Sequence, residues 1–383
     1  MAQKHFDLIV VGAGVVGTFH AYHALKKGLS VLLLEKNAGP QSATVRNFGQ
    51  VVPSGMAGRW FDYGVRGLEI YQDIQKQFDI SVRKNGSVYL ASDPEEQQLL
   101  HESKQIFDTK GYACELLTRQ QCLQQWPSLN AAYVLEGLYF PQEISVEPEL
   151  MIHRLIAFMQ QRYTHFVYRN YSAATAIEST VHGVRVNTAQ EENFTAEKSI
   201  ICSGAEFRLL FPKLYNESGM MVSKLQMMRS FPLPDVSLSG NILTGLSIRR
   251  YESFTECPSY STLKTPKHYE ELKKWGVHIL FKQTPDGSIV IGDSHEYAEA
   301  AQSEQLGFHI NQDINDLILQ EAQKIVTFDV RQIASSWAGY YSQHADEIFS
   351  HTSSDNIHIF TGIGGKGMTS SAGFAEENIA SLF

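Results

Sequence analysis

FDLIVVGAGVVGTFHAYHALKKGLSVLLLE, residues 6–35, is the stretch that decides the fold. An apolar run from Phe6 to Val11 feeds into Gly12-x-Gly14-x-x-Gly17. A helix-compatible segment follows, and a second apolar run, 31–34, ends on Glu35. That order is a βαβ unit with a dinucleotide fingerprint. Gly12 permits the tight turn out of the strand, Gly14 leaves no side chain in the way of a pyrophosphate, and Gly17 lets helix and sheet pack closely. The phosphates then meet free N–H groups at the helix start, Val15 and Val16 among them. Glu35, at the end of the second strand, stands where an acid accepts hydrogen bonds from a ribose diol, and Lys36 follows it. An acid at that place disfavours a 2′-phosphate and so ranks NADP last, with FAD and NAD both open on these residues.

Composition narrows the class further. The 383 residues are long for a single core and suggest two domains or one with a large insertion. A net charge of −9, with Lys and Arg scattered, excludes nucleic-acid binding as a bulk electrostatic matter. Cys114, Cys122, Cys202 and Cys257 follow no metal-binding or disulfide spacing and read as reduced thiols; no metal site is expected. No apolar run reaches the ~18 residues that cross a bilayer, and Phe6 already opens a strand, so no membrane partner and a cytoplasmic location are expected. The residues carry no signal for an oligomeric state.

Along the chain, helices are predicted at 59–78, at 94 onward with Asp93 as N-cap and Pro94 at the first helical position, at 118–126, 148–163 and 313–328. Strands are predicted at 83–92, 165–168, 173–179, 183–188, 196–203 and 288–292, and Arg249-Arg250 are placed on a strand, where at most one side chain faces a pocket. The strand 196–203 ends in Ser203-Gly204-Ala205. A last strand, 356–361, runs into Gly362-x-Gly364-Gly365-x-Gly367 and a closing helix, 369–381. Glycine loops before helices thus recur at both ends of the chain. The fold class expected is α/β, with segments 1–80, 145–220 and 326–383 forming a discontinuous Rossmann-like dinucleotide domain. Segments 81–144 and 221–325 form an interleaved α+β substrate domain on a mixed or antiparallel sheet.

DLIVVGAGVVG, SIICSGAEF and IHIFTGIGGKGMTSSAGFAEE together resemble the FAD-dependent D-amino-acid oxidase and sarcosine oxidase-like superfamily, whose dinucleotide domain is of the glutathione-reductase type. Within it, ATVRNFGQV (43–51), KLQMMRS (224–230), RRYESF (249–254) and IGDSHEY (291–297) resemble one subgroup, associated with 2-aminoethylphosphonate breakdown. The resemblance implies FAD bound by Gly12, Gly14, Val15, Val16, Gly17, Glu35, Lys36, Arg46, Asn47, Ser203, Gly204, Gly339, Gly364, Gly365, Lys366, Gly367 and Met368. Covalent sarcosine oxidases attach flavin through a cysteine in the segment matching 337–342; Gly339 stands there, which implies noncovalent FAD. Val290 stands where related oxidases carry a lysine that assists oxygen reduction, so oxygen is not secured as the electron acceptor.

The expected activity is oxidation of a small anionic amine by hydride transfer to flavin N5, followed by imine hydrolysis. An aminophosphonate or its N-methyl or hydroxy derivative, giving phosphonoacetaldehyde or a related aldehyde, is the expected substrate. The alternatives are a D-amino-acid, glycine or sarcosine oxidase and, from another class, a noncatalytic flavin-binding partner protein. An anion calls for cations and forked donors, which makes Arg46, Arg249 and Lys366 candidates, with Asn47 beside the first. His295 is a candidate for binding an anion or taking a proton. Tyr251, Tyr340 and Tyr341 are candidates to line or cap the site.

Overall fold

In the computed structural model, which describes residues 5–383, two large sheets share the chain. The first four residues of the segment 1–80 lie outside the described residues. Strand β1 (His5–Val11), helix α1 (Val15–Lys26) and strand β2 (Val31–Leu34) form the expected βαβ unit. β1 lies between β2 and Asn193–Ile201, parallel to both, and the parallel set continues through Phe166–Arg169 on one side and Ile357–Thr361 on the other. An antiparallel hairpin, Ala174–Thr180 with Gly183–Thr188, branches from Asn193–Ile201, and Phe349–Ser354 closes the far edge to make eight strands.

Alternation along β1 and β2 explains why this sheet is buried on both faces. Leu8, Val10, Val31 and Leu33 point into one core with α1 and the helix Gly58–Gln75, while Ile9, Val11, Leu32 and Leu34 point into another, capped by Val184 and Val186 of the hairpin. Each such side chain contributes about 1.5–3 kcal/mol on burial.

The second sheet has nine strands in the order Glu296–Glu299, Met221–Ser230, Ile289–Gly292, Leu280–Gln283, Asn241–Leu243, Ser87–Ala91, Glu136–Phe140 and Glu115–Thr118, with Ile333–Gln343 also paired to Met221–Ser230. It is antiparallel except where Asn241–Leu243 runs parallel to Ser87–Ala91, so it is mixed. The strand Ile333–Gln343, from the segment 326–383, runs in this sheet rather than in the first. One face of the second sheet, with Val88, Leu90, Phe281 and Ile291, packs on the helix Gln312–Ile325; the other, with Tyr89, Leu243, Leu280 and Val290, joins the core of Leu8 and Val10. The predicted N-cap is present: Asp93 accepts a hydrogen bond from the Glu96 N–H at 2.9 Å, opening Pro94–Thr109. Among the described residues no helix is long and apolar enough to cross a membrane.

Arg249 and Arg250 depart from the strand expected of them. They follow a short helix, Gly245–Ile248, with Arg249 as its C-cap, and lie on no strand. The run of small residues Thr244-Gly245 breaks the preceding strand, and the Thr244 carbonyl accepts from the Ser247 and Ile248 N–H groups to start the turn.

Candidate functional site

At the fingerprint, Gly12 adopts φ +100°, and a Cβ there would collide with the carbonyl of Cys202. A side chain at Gly17 would meet the carbonyl of Gly12, so both glycines are fixed by close packing. Gly14 has ordinary φ, −65°, and a Cβ there would meet only Thr44 Oγ1, at 3.2 Å. Val15 N–H donates to Thr44 Oγ1 at 2.9 Å, and the first helical bond runs from Thr18 N–H to Gly14 O. The N–H groups of Val16 and Gly17 therefore precede any intrahelical partner and face the helix entrance. Glu35, 7% exposed, accepts from Ala13 N–H at 3.1 Å and Asn37 N–H at 3.0 Å. Its carboxylate is held beside the glycine turn with acceptor capacity to spare for a diol. Lys36 pairs with Glu206.

The second glycine loop comes up against the first. A Cβ at Gly367, the start of Gly367–Leu382, would lie 3.5 Å from Val15 Cγ1. Gly364 has φ +62°, and around Gly204 and Gly365 a Cβ would meet nothing within 4 Å. Open space at two backbone positions, donors at the start of α1 and a fixed acid at Glu35 are what an FAD spanning both loops requires, so the residues fit that group. Met368 O accepts from the Tyr71 hydroxyl at 3.0 Å, and Thr361 Oγ1 donates to Gly204 O at 2.8 Å. Ser203 Oγ lies 3.2 Å from the Tyr215 hydroxyl. Lys366 pairs with Glu252 at 2.6 Å, so its charge is partly offset.

The loop 43–51 joins the fingerprint to the second sheet. Arg46 Nη1 donates to Ala338 O at 3.2 Å, while Arg46 O accepts from Trp337 Nε1 at 3.2 Å and the Tyr341 hydroxyl at 3.3 Å. Gly339 is where this approach is closest: a Cβ there would come within 3.3 Å of Arg46 O and 2.7 Å of the Tyr341 ring. Asn47 closes the turn, donating to Thr44 O at 2.7 Å and accepting from Gly49 N–H at 2.7 Å. Tyr340, by contrast, sends its hydroxyl to Gly307 O.

Of the adjacent arginines, Arg249 is spent on the fold. It bonds Glu96 and Asp93 at 2.6 and 2.5 Å, with Glu96 completely buried. Removing it would leave that carboxylate uncompensated, a cost of about 3–5 kcal/mol. Arg250 instead reaches Gly276 O at 3.0 Å and the Tyr297 hydroxyl at 3.1 Å, beside His295, whose Nδ1 also meets Gly276 O at 3.1 Å.

Next to them stand two residues not singled out from sequence, His278 and Asp293, 3% and 5% exposed. His278 N–H donates to Asp293 O at 3.0 Å because their strands, Leu280–Gln283 and Ile289–Gly292, pair antiparallel with Leu280 opposite Gly292. A polar residue at the adjoining ends of two apolar runs was the available signal. Nitrogen and oxygen atoms of His278, Asp293 and His295 lie within 4.8 Å of one another, a spacing compatible with a metal ion. Burial would raise the Asp293 carboxyl, but His278, 2.9 Å away, and the Arg250 guanidinium outweigh it and hold it below the usual carboxylate range. Burial pushes His295 down to about 3, aided by Arg250 and opposed by Asp293, so its imidazole is neutral at physiological pH. The Tyr251 ring lies 5.6 Å from that of His278 and against Gly55, whose Cβ would come 2.8 Å from it.

Comparison with known proteins agrees with this geometry. A family model described as DAO, FAD dependent oxidoreductase, matches residues 7–380. The chain is similar to one polypeptide of the opine oxidase of Rhizobium meliloti, 23% identical over 356 residues, covering 89% of this chain and 83% of that protein. It is also similar to the N-methyl-L-tryptophan oxidase of Escherichia coli O157:H7, 23% identical over 214 residues, 55% of this chain and about half, 56%, of that protein's length. Glycine oxidase from Geobacillus kaustophilus shares the fold at a TM-score of 0.78 and 17% identity, covering 99% of this chain and 95% of that one.

Proposed function

The chain belongs to the FAD-dependent oxidoreductase family, and from that premise we propose that it oxidises the C–N bond of a small anionic amine, an aminophosphonate such as 2-aminoethylphosphonate or its N-methyl derivative. FAD, when bound, supplies a two-electron acceptor for the substrate's α-hydrogen, and water then cleaves the imine to an aldehyde. The chain's own residues bind and orient. Gly12, Gly14, Val16, Gly17 and Glu35 would hold the adenosine half, and the backbone from Gly364 to Met368 would hold the other half. Gly339 stands in the strand Ile333–Gln343 and all four cysteines lie outside it, which supports a noncovalent cofactor. The second sheet supplies the substrate side, extended by Ile333–Gln343.

One observation supports this substrate class. The stretches 43–51, 224–230, 249–254 and 291–297, far apart in the chain, converge: Leu225 pairs with Gly339, Met227 with Gly292, Arg46 meets Trp337 and Tyr341, and Arg250 meets His295 across Gly276. They gather a permanent cation, Arg250, beside a buried carboxylate, Asp293. A zwitterionic substrate matches that pair of charges.

Purified holoenzyme, mixed anaerobically with aminophosphonates, N-methyl amines and D-amino acids, tests this. Bleaching of the flavin absorbance by aminophosphonates is the expected result, and Arg250→Met should raise their KM with flavin content unchanged. Bleaching only by glycine, sarcosine or D-amino acids would replace the substrate; a flavin that no amine bleaches would make the protein a noncatalytic flavin binder. Repeating the screen in air, with peroxide measured, identifies the acceptor.

A further inference from the structure

Asp293 Oδ1 and His278 Nδ1 lie 2.9 Å apart, yet off the line of a hydrogen bond, and both are buried without a hydrogen-bond partner among the described residues. Buried carboxylate oxygens are nearly always paired, because leaving one bare forfeits its hydration without replacement. The cations nearby do not complete it. Arg250 spends one amino group on Gly276 O and the other on the Tyr297 hydroxyl, Lys366 is paired to Glu252, and Arg46 is bonded to Ala338 O. His295 is anchored through Nδ1 to Gly276 O, which makes that nitrogen the donor and leaves Nε2 as a further acceptor.

The result is a buried carboxylate oxygen and a buried imidazole nitrogen without partners, walled by the Tyr251 ring. An alkylammonium brings three N–H donors to such atoms, and an aromatic wall suits its carbon substituents. A metal ion would face the same atoms with the permanent charge of Arg250 beside it, which disfavours a second, doubly charged cation.

Resting on the reading of the substrate as a small anionic amine, we propose that Asp293 Oδ1 and His278 Nδ1 are the subsite for the substrate's ammonium end, with the Arg250 N–H groups beyond those bonded to Gly276 O and Tyr297 set for its anionic end. Asp293 then decides that the ligand is an amine, independently of which anion it carries. The arrangement also fixes direction: the nitrogen is held at the strand ends 278 and 293.

The test measures binding by calorimetry at neutral pH to the holoenzyme kept reduced with dithionite, in which no amine can be oxidised, with matched ligands differing only in the amine: 2-aminoethylphosphonate against ethylphosphonate, and sarcosine against acetate. In the wild type the amine-bearing member of a pair should bind about 10- to 100-fold more tightly, the range set by one charge-assisted hydrogen bond. Asp293→Asn should abolish that preference and leave affinity for the amine-free anion unchanged. Equal affinity within both pairs in the wild type overturns the proposal without any variant being needed. So does equal weakening of both members in Asp293→Asn, the sign of a structural role, or stoichiometric zinc in the wild type that the variant lacks. A wild type that prefers sarcosine over acetate but responds to neither phosphonate would retire the aminophosphonate reading and leave the ammonium subsite standing.

Discussion

Glu143 is a carboxyl with no solvent contact, accepting from Ser54 N–H at 2.8 Å and the Tyr112 hydroxyl at 3.2 Å, with its other oxygen unpartnered. Burial raises its pKa to about 7, against the hydrogen bonds from Ser54 and Tyr112 that pull it down. Because the folded value exceeds the unfolded one, its contribution to stability is full below about pH 4.5 and is lost as pH rises through about 7. A rise of that size amounts to roughly 3 kcal/mol, at 1.36 kcal/mol per unit. Urea midpoints should show Glu143→Gln gaining on the wild type by up to that amount between pH 4.5 and 8. A constant difference across that range would mean the carboxyl is charged throughout. Nothing in the sequence marks Glu143, because burial of a polar side chain is decided by strands far away in the chain. Arg249 shows the converse: its residue type suited an anion site, but Glu96 and Asp93 claimed it, and only the three-dimensional neighbours could show that Arg250 was the one left beside His295.

The βαβ unit was legible at the level of elements because each of its parts is local: an apolar run, three glycines at fixed spacing and an acid. The same locality exposed the capped helix Pro94–Thr109 and the closing helix. What escaped was the segment 244–250, where a short helix displaced the strand, and the partner of Ile333–Gln343, which depends on long-range pairing with Met221–Ser230. Within the fingerprint the glycines divide by task. Gly12 combines positive φ with a carbonyl in the way, whereas Gly14 has negative φ and a Cβ there would press only on the Thr44 hydroxyl, 3.2 Å away. Gly12→Ala should therefore cost fold stability, while Gly14→Val should fold with a melting temperature close to the wild-type apoprotein and bind FAD at least ten times more weakly, since its side chain occupies the pyrophosphate's approach. Thermal melts of the apoproteins and flavin titrations separate the two; equal FAD affinity in Gly14→Val would remove the phosphate role of that turn.

Across the whole molecule the two sheets do not own separate interiors. Leu8 and Val10 from the first share a core with Tyr89, Leu243 and Val290 from the second, and Trp60 lies in it, while Trp126 lies in the core beyond the second sheet. Unfolding one sheet would strip the other of apolar cover, so both should melt together. Single-tryptophan variants reporting from Trp60 or Trp126 should give one coincident denaturant midpoint, shared with flavin release; separated midpoints would show that each sheet stands alone. A last consequence concerns how the protein is made. His23 in α1 bonds Ala372 in the closing helix at 3.0 Å across 349 residues of chain. At about 5–20 residues per second, a ribosome takes roughly 20–70 s to travel that far. Throughout that interval the nascent fingerprint lacks the helix that completes its site, and cofactor capture waits on the synthesis of that helix and not on the supply of flavin.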